Sequence, residues 1–417
     1  MQDDAEARTE LTKGGHSLFR LSVLHRYYTI SATLSLGYGS IYALLADLRN
    51  TFGFSDAQLG VIAGAGFFAG FLAQAVLARQ ADLGHTSLMV RGGILLAAFA
   101  MLACLVGTTY WAFVLARVLF GIGSGIAAPA LRRLVILHNA DQIGRNLGTQ
   151  SAFELAGFVA GPLVAAAAAQ TLGIRAPFVL LAGIFTVVLI STVGLDLAGN
   201  IQAATSVVRT SLLRQRALLA TLCIAVGFYA TIGVFEAVWS VLLSDHGAAT
   251  WLIGLSLSLF TVPMIFLAPI GGTQAQQRGP LRVVGLSLSV AAVCTASYGL
   301  VDFVWLLLAI SLVHALADSF TMPANQVGIA LATERHQLAA GQGLLGATGL
   351  ATAGAVGLAA GWIYQSAGAS VLFIGTASLM VLCLGTALAL ARGTRLLTAS
   401  APVGGPPTAS QPTAVNG

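Results

Sequence analysis

From residue 27 to residue 391 the chain is a succession of apolar runs, each about twenty residues or longer, joined by polar segments too short to fold as domains. A run of that length is what a helix needs to cross the hydrocarbon core of a bilayer, and in lipid only helices and closed barrels satisfy their own backbone groups. Run length places spans near 27–48, 57–78, 88–108, 111–136, 147–170, 175–196, 217–243, 251–272, 281–300, 303–331, 338–364 and 369–391. The expected fold class is an all-α polytopic membrane protein with twelve transmembrane helices. Its expected parts are an N-terminal segment (1–26), a six-helix bundle (27–197), a linker (198–216), a second six-helix bundle (217–391) and a disordered tail (392–417) rich in Pro, Ser, Thr and Gly. Ser55 and Gln58 form a capping-box pattern that starts the second span.

Only 8% of the residues are charged, against about 25% in a soluble domain, and 48 are glycine, which suits closely packed membrane helices. The net charge of +5 is no nucleic-acid footprint, because its distribution follows the membrane. With twelve spans, Arg8, Lys13, Arg20, Arg26, Arg79, Arg91, Arg132, Arg133, Arg145, Arg209, Arg214, Arg216, Arg278, Arg282, Arg335, Arg392 and Arg395 share one side, and Arg49 and Arg175 have the other. By the positive-inside rule both termini are expected in the cytoplasm, and a bacterial cytoplasmic membrane is the expected location. In the acidic, polar opening MQDDAEARTE no cleavable secretion signal is evident, and the first span is expected to direct insertion. The segment Leu18 to Tyr28 alternates apolar and basic residues, as a helix lying along the interface would. Cys104, Cys223, Cys294 and Cys383 each stand alone in an apolar run and read as packing residues, so neither a metal nor a cofactor is expected.

An offset of 194 residues pairs Gly60 with Gly254, Asp82 with Gln276, Trp111 with Trp305 and Pro129 with Pro323, each at the same place in its own six-span half. The halves therefore read as parallel repeats, two pseudo-symmetric bundles about an axis along the membrane normal. They diverge where charge is buried: Arg117 falls opposite Ser311, Ser124 opposite Asp318, and Tyr42 opposite Glu236. A substrate or ion held between two halves needs different chemistry from each.

Three stretches then resemble a known family. Arg117-x-x-x-Gly121-x-Gly123-x-Gly125 is similar to the fourth-helix motif of the major facilitator superfamily. Gly157-x-x-x-Gly161-Pro162-x-x-Ala165-Ala166 resembles the fifth-helix motif that marks its antiporters, with two alanines where the family usually has glycines. Between spans two and three, Ala78 to His85 resembles the family's loop signature; its acid, Asp82, and its glycine, Gly84, are present, while Ala78 and His85 depart from it. The resemblance implies that Asp82 meets Arg132 or Arg133 and the start of span eleven near Leu338, locking one conformation; the alternative is a solvated turn acid. The second-half copy, Gly271 to Gly279, has Gln276 for the acid and is expected to lack such a lock. Gly157 and Gly161 allow close helix contact, and Pro162 frees the carbonyl of Phe158, which suits a hinge or a seal between halves as well as simple packing.

Four ionisable residues fall well inside spans: Arg117, Glu154, Glu236 and Asp318, with His314 one turn before Asp318. An isolated charge at mid-bilayer costs about 2.5 to 3.5 kcal/mol on insertion scales, so these groups need partners or water. In the family, spans one, four, seven and ten line a central cavity, which would put Arg117, Glu236 and Asp318 beside it, together with Tyr38, Tyr42, Phe120, Tyr229, Phe235, Trp239 and Phe320. Aromatic side chains with few donors suit amphipathic molecules better than sugars. The expected function is a monomeric, proton-coupled exporter of amphipathic small molecules, with Asp318, Glu236, Glu154, Arg117 and His314 as coupling candidates. A fixed Arg117 to Glu236 ion pair is the structural alternative, and uptake symport or facilitation is the functional one. With no G-x-x-x-x-G-K-[ST] the energy would come from a gradient and not from ATP; an intramembrane enzyme ranks lower for want of H-E-x-x-H or G-x-S-x-G, and a membrane sensor or lipid-handling protein remains a lesser alternative, the former disfavoured by the lack of a large soluble domain.

Overall fold

A computed structural model describes residues 2–197 and 212–397. Its helices are α1 (Gln2–Phe52), α2 (Asp56–Leu77), α3 (Thr86–Val106), α4 (Tyr110–His138), α5 (Ile143–Leu172) and α6 (Ala176–Ser191), then α7 (Arg216–Asp245), α8 (Thr250–Arg278), α9 (Pro280–Tyr298), α10 (Val304–Ala332) and α11 (Leu338–Leu390). Helix α11 is broken at Gly368 (φ 85°), so residues 338–367 and 369–390 are separate crossings. No strand occurs among the described residues. Eight helical stretches there are long and apolar enough to cross a bilayer by length and composition. The first crossing in α1, the sixteen-residue α6, helix α8 and the second crossing within α11 complete twelve. The start of the first crossing and the end of the last lie at one end of the molecule, the terminal face; the opposite end is the distal face.

Local chemistry sets the helix ends. Ser55 accepts from the Gln58 amide at 3.3 Å while the Gln58 side chain accepts from the Ser55 amide at 2.9 Å, the reciprocal capping box read in the sequence. Thr109 caps α4 through the Ala112 amide. Helix α1 runs unbroken from Gln2, so the segment Leu18 to Tyr28 continues straight into the first crossing and does not form a separate interfacial helix. Of the expected linker, 198–211 lies outside the described residues, as does the tail from 398.

Each bundle packs alike: α1 on α5, α2 and α3 on α4 in the first, and α7 on α11, α8 and α9 on α10 in the second. The bundles meet where α5 lies against α8 and where α11 lies against α2 and α4. Large apolar side chains such as Phe68, Trp111, Leu358 and Trp362 are exposed, while Arg117, His314, Asp318 and Asn325 are buried. Apolar outside and polar inside is the pattern of a chain solvated by lipid.

Candidate functional site

The terminal face is closed by contacts between the bundles. After α2 the chain passes through one π-helical turn, Ala81–His85, where Gly84 takes φ 96°, a conformation side chains resist. That turn carries Asp82 inward, where it is 1% exposed. Its carboxylate accepts from Arg133 Nε at 3.1 Å and from the backbone amides of Ala339 and Ala340 at 3.0 and 2.8 Å. Those amides belong to the first turn of α11, which has no acceptor of its own and favours an anion. Arg133 also donates to Thr86 Oγ1 at 3.3 Å. Of the two arginines offered by the sequence, only Arg133 reaches Asp82. Arg132, about 100° around the helix, turns instead to Glu154, with Nη2 and Oε2 2.9 Å apart.

Contrary to expectation, the second-half copy also bridges the bundles. Gln276 Oε1 accepts from the Gly144 amide at 2.7 Å, and Gln276 Nε2 donates to the Asp141 carbonyl at 2.9 Å. Beside it the backbones of α5 and α8 touch, so a Cβ on Gly144 would collide with the Gly272 carbonyl and one on Gly272 with the Gly144 carbonyl.

Inward from these contacts lies a polar floor drawn from both bundles. Glu154 accepts from Arg132 and from Gln150 Nε2 at 3.2 Å, and Gln150 donates to Ser31 at 2.9 Å. Ser151 donates across the interface to Gln326 Oε1 at 2.9 Å. Tyr229 of α7 lies within electrostatic range of both Arg132 and Glu154. The interior glutamines and serines follow no sequence motif, and only the fold reveals them as a set.

Toward the distal face the residues of the repeat pair Tyr42 and Glu236, one from each bundle, are both exposed and define the margins of a cleft. The two lie within electrostatic range of one another across the cleft. Among the described residues Glu236 makes no hydrogen bond or ion pair, so the fixed pair with Arg117 is absent. Tyr42 packs on Phe67 and Phe158, Tyr38 packs on Phe67, and Tyr38 and Phe235 are half-buried at the margins. Three expected cavity residues lie elsewhere. Phe120 is fully buried against Tyr38 and Phe185, inside the first bundle. Trp239 is buried in the second, stacked on Phe235 with ring centroids 4.5 Å apart and donating to Ser256 Oγ at 3.0 Å. Phe320 is half-buried where the α10 backbone meets Gly271 of α8.

Two further charged groups are sealed inside the bundles instead of lining the cleft. Arg117 is 1% exposed, with its guanidinium 5.3 Å from the Tyr38 ring centre and 5.6 Å from that of Phe120. Asp318 and His314 share a buried site, Oδ2 and Nε2 3.5 Å apart, and Tyr298 of α9 closes it with its hydroxyl 3.1 Å from His314 Nδ1. The sequence signals the acid and histidine at i and i−4, but nothing in it points to Tyr298 on the neighbouring helix.

On α5, a Cβ at Gly157 would strike the Ala32 carbonyl of α1, and one at Gly161 the Leu36 carbonyl. A Cβ on Gly39 would in turn collide with the Phe158 carbonyl and lie 3.2 Å from Pro162 Cδ. The glycine motif thus joins two helices of the same bundle, and the seal between halves is made at the start of α5, at Gly144 and Gly148.

A twofold six-helix architecture with an acid on the second-to-third connection capping the eleventh crossing is the arrangement the motifs imply. The sequence matches the family profile of the Major Facilitator Superfamily at residues 28–238 and again at 217–414. The chain belongs to the major facilitator superfamily. Among solved structures, the human organic anion transporter MFSD10 (TETRAN) superposes with a TM-score of 0.71 at 16% identity, over 88% of this chain and 99% of that one. The proton:xylose symporter XylE bound to 6-bromo-6-deoxy-D-glucose superposes with a TM-score of 0.68 at 14% identity, over 88% of this chain and 95% of that one. No curated protein sequence matches. At such identities the likeness carries the fold, and family membership makes this chain a multi-pass membrane transporter of small molecules, not an enzyme.

Proposed function

We propose that this major facilitator exports amphipathic small molecules in exchange for protons, with Glu236 as the acid that meets the distal medium. The observation that carries this is the setting of Glu236: exposed, without a hydrogen-bond or ion-pair partner among the described residues, in a cleft margined by Tyr38, Tyr42, Phe67, Phe158 and Phe235 and shut at the terminal face. A carboxyl moved between wet and dry surroundings takes up and releases a proton. Rocking of the bundles about the cleft would carry Glu236 from distal to terminal access, and the aromatic lining gives an amphipathic substrate its apolar contact. Asp318, sealed beside His314, serves as the second acid, reached when the second bundle rearranges. The basic terminal face is cytoplasmic in this reading, and the protein works as a monomer in a bacterial cytoplasmic membrane.

The test is transport in proteoliposomes under an imposed pH gradient, with tetraphenylphosphonium, a neutral aromatic amide and an aromatic carboxylate as probes and vesicle pH recorded alongside. Glu236→Gln should abolish gradient-driven movement while downhill exchange persists. Full gradient-driven accumulation in both Glu236→Gln and Asp318→Asn rules out coupling through these acids. Substrate moving with the proton instead of against it replaces export with symport.

A further inference from the structure

The contact made by Gln276 is placed like that made by Asp82 through the 194-residue repeat, with the helix partner shifted by one residue. Each side-chain oxygen takes amide hydrogen from the start of a helix in the opposite bundle: Ala339 and Ala340 of α11 for Asp82, Gly144 of α5 for Gln276. Gly144 itself falls opposite Leu338 at the same offset. The cation changes together with the acid, because Arg133, which neutralises Asp82, falls opposite Val327. A carboxylate at position 276 would lack that arginine, whereas an amide needs no counter-charge. The amide also does what a carboxylate is unable to do: it donates as well as accepts, so Gln276 holds both the first turn of α5 and, through Asp141, the short 3-10 turn Ala140–Gln142 that precedes it.

We propose that Gln276 is a gate-positioning residue, a neutral latch that holds the terminal face shut across α5 and α8 as the charged Asp82 latch holds it across α2 and α11. The face is then secured on both sides of the pseudo-twofold axis by different chemistry. One latch is built on a charge and its counter-ion; the other is built on a neutral amide. This rests on the alternating-access reading but not on proton coupling, which does not enter the readout below.

The experiment is a spin-label distance measurement on the full-length protein in nanodiscs, with labels at Arg145→Cys in the first bundle and Glu334→Cys in the second, in a background freed of the four native cysteines. Gln276→Leu should raise the population with separated labels about tenfold, the effect of losing two neutral hydrogen bonds. Combined with Asp82→Asn, the two increases should multiply. Gln276→Met, which keeps the length of the side chain but neither hydrogen bond, should open the face to the same extent as Gln276→Leu. A distance distribution in Gln276→Leu identical to that of the parent, in both the Asp82 and the Asp82→Asn backgrounds, overturns the proposal. So does a parental closed population in Gln276→Met, since that marks the Gln276→Leu effect as a packing defect and not a lost hydrogen bond.

Discussion

Replacing Asp82 with asparagine separates what the acid does within its own bundle from what it does between bundles. Arg133 belongs to the same bundle as Asp82, so that bond travels with the bundle in either conformation. The bonds to the Ala339 and Ala340 amides exist only while the terminal face is shut, and of the bonds Asp82 makes they alone bias the equilibrium. A hydrogen bond to a charged group is worth about 1.5 to 3 kcal/mol. Asparagine keeps one oxygen for one amide but turns a donor toward the other and removes the charge from the α11 N-terminus. The closed form should therefore lose about 3 kcal/mol, or about 150-fold in its ratio to the open form. Distances between spin labels on the terminal ends of the two bundles read that ratio directly, and transport in proteoliposomes should fall while insertion and expression stay near normal. An unchanged distance distribution together with wild-type transport would refute the reasoning, leaving Asp82 as an acid that stabilises its own loop.

Gly161→Leu should wedge α5 from α1, because the Leu36 carbonyl occupies the space a side chain needs; transport should be lost or uncoupled, and substrate flux with proton leak both at parental levels would show that the helices tolerate separation. Tyr298→Phe removes the hydroxyl bonded to His314 inside the second bundle and should cost about 1 kcal/mol in unfolding free energy in detergent, with an unaltered denaturation profile counting against a structural role for that bond.

Lipid makes much of this protein legible in one dimension. A bilayer admits only segments that satisfy their own backbone, so run length and composition set the number of crossings, and the 194-residue offset sets the two bundles, before any contact is known. The capping box at Ser55 and the glycine at position 84 are local signals of the same kind, readable because their consequences fall within a few residues, whereas the acid at 82 is marked by the resemblance to the family's loop signature and its partners lie 51 to 258 residues away. What one dimension leaves open is rotation. Arg132 and Arg133 are adjacent, yet about 100° on a helix sends one to Glu154 and the other to Asp82. The same indeterminacy placed Phe120, Trp239, Arg117 and Asp318 inside bundles although their spans adjoin the cleft, and left Glu236 and Tyr42 facing it. Gln276 shows the limit most plainly. Read alone, it is an acid lost from a motif; only when α5 is laid against α8 does its amide meet Gly144 and Asp141, because the partners are 132 and 135 residues away and hydrogen bonds at that separation belong to packing, not to pattern.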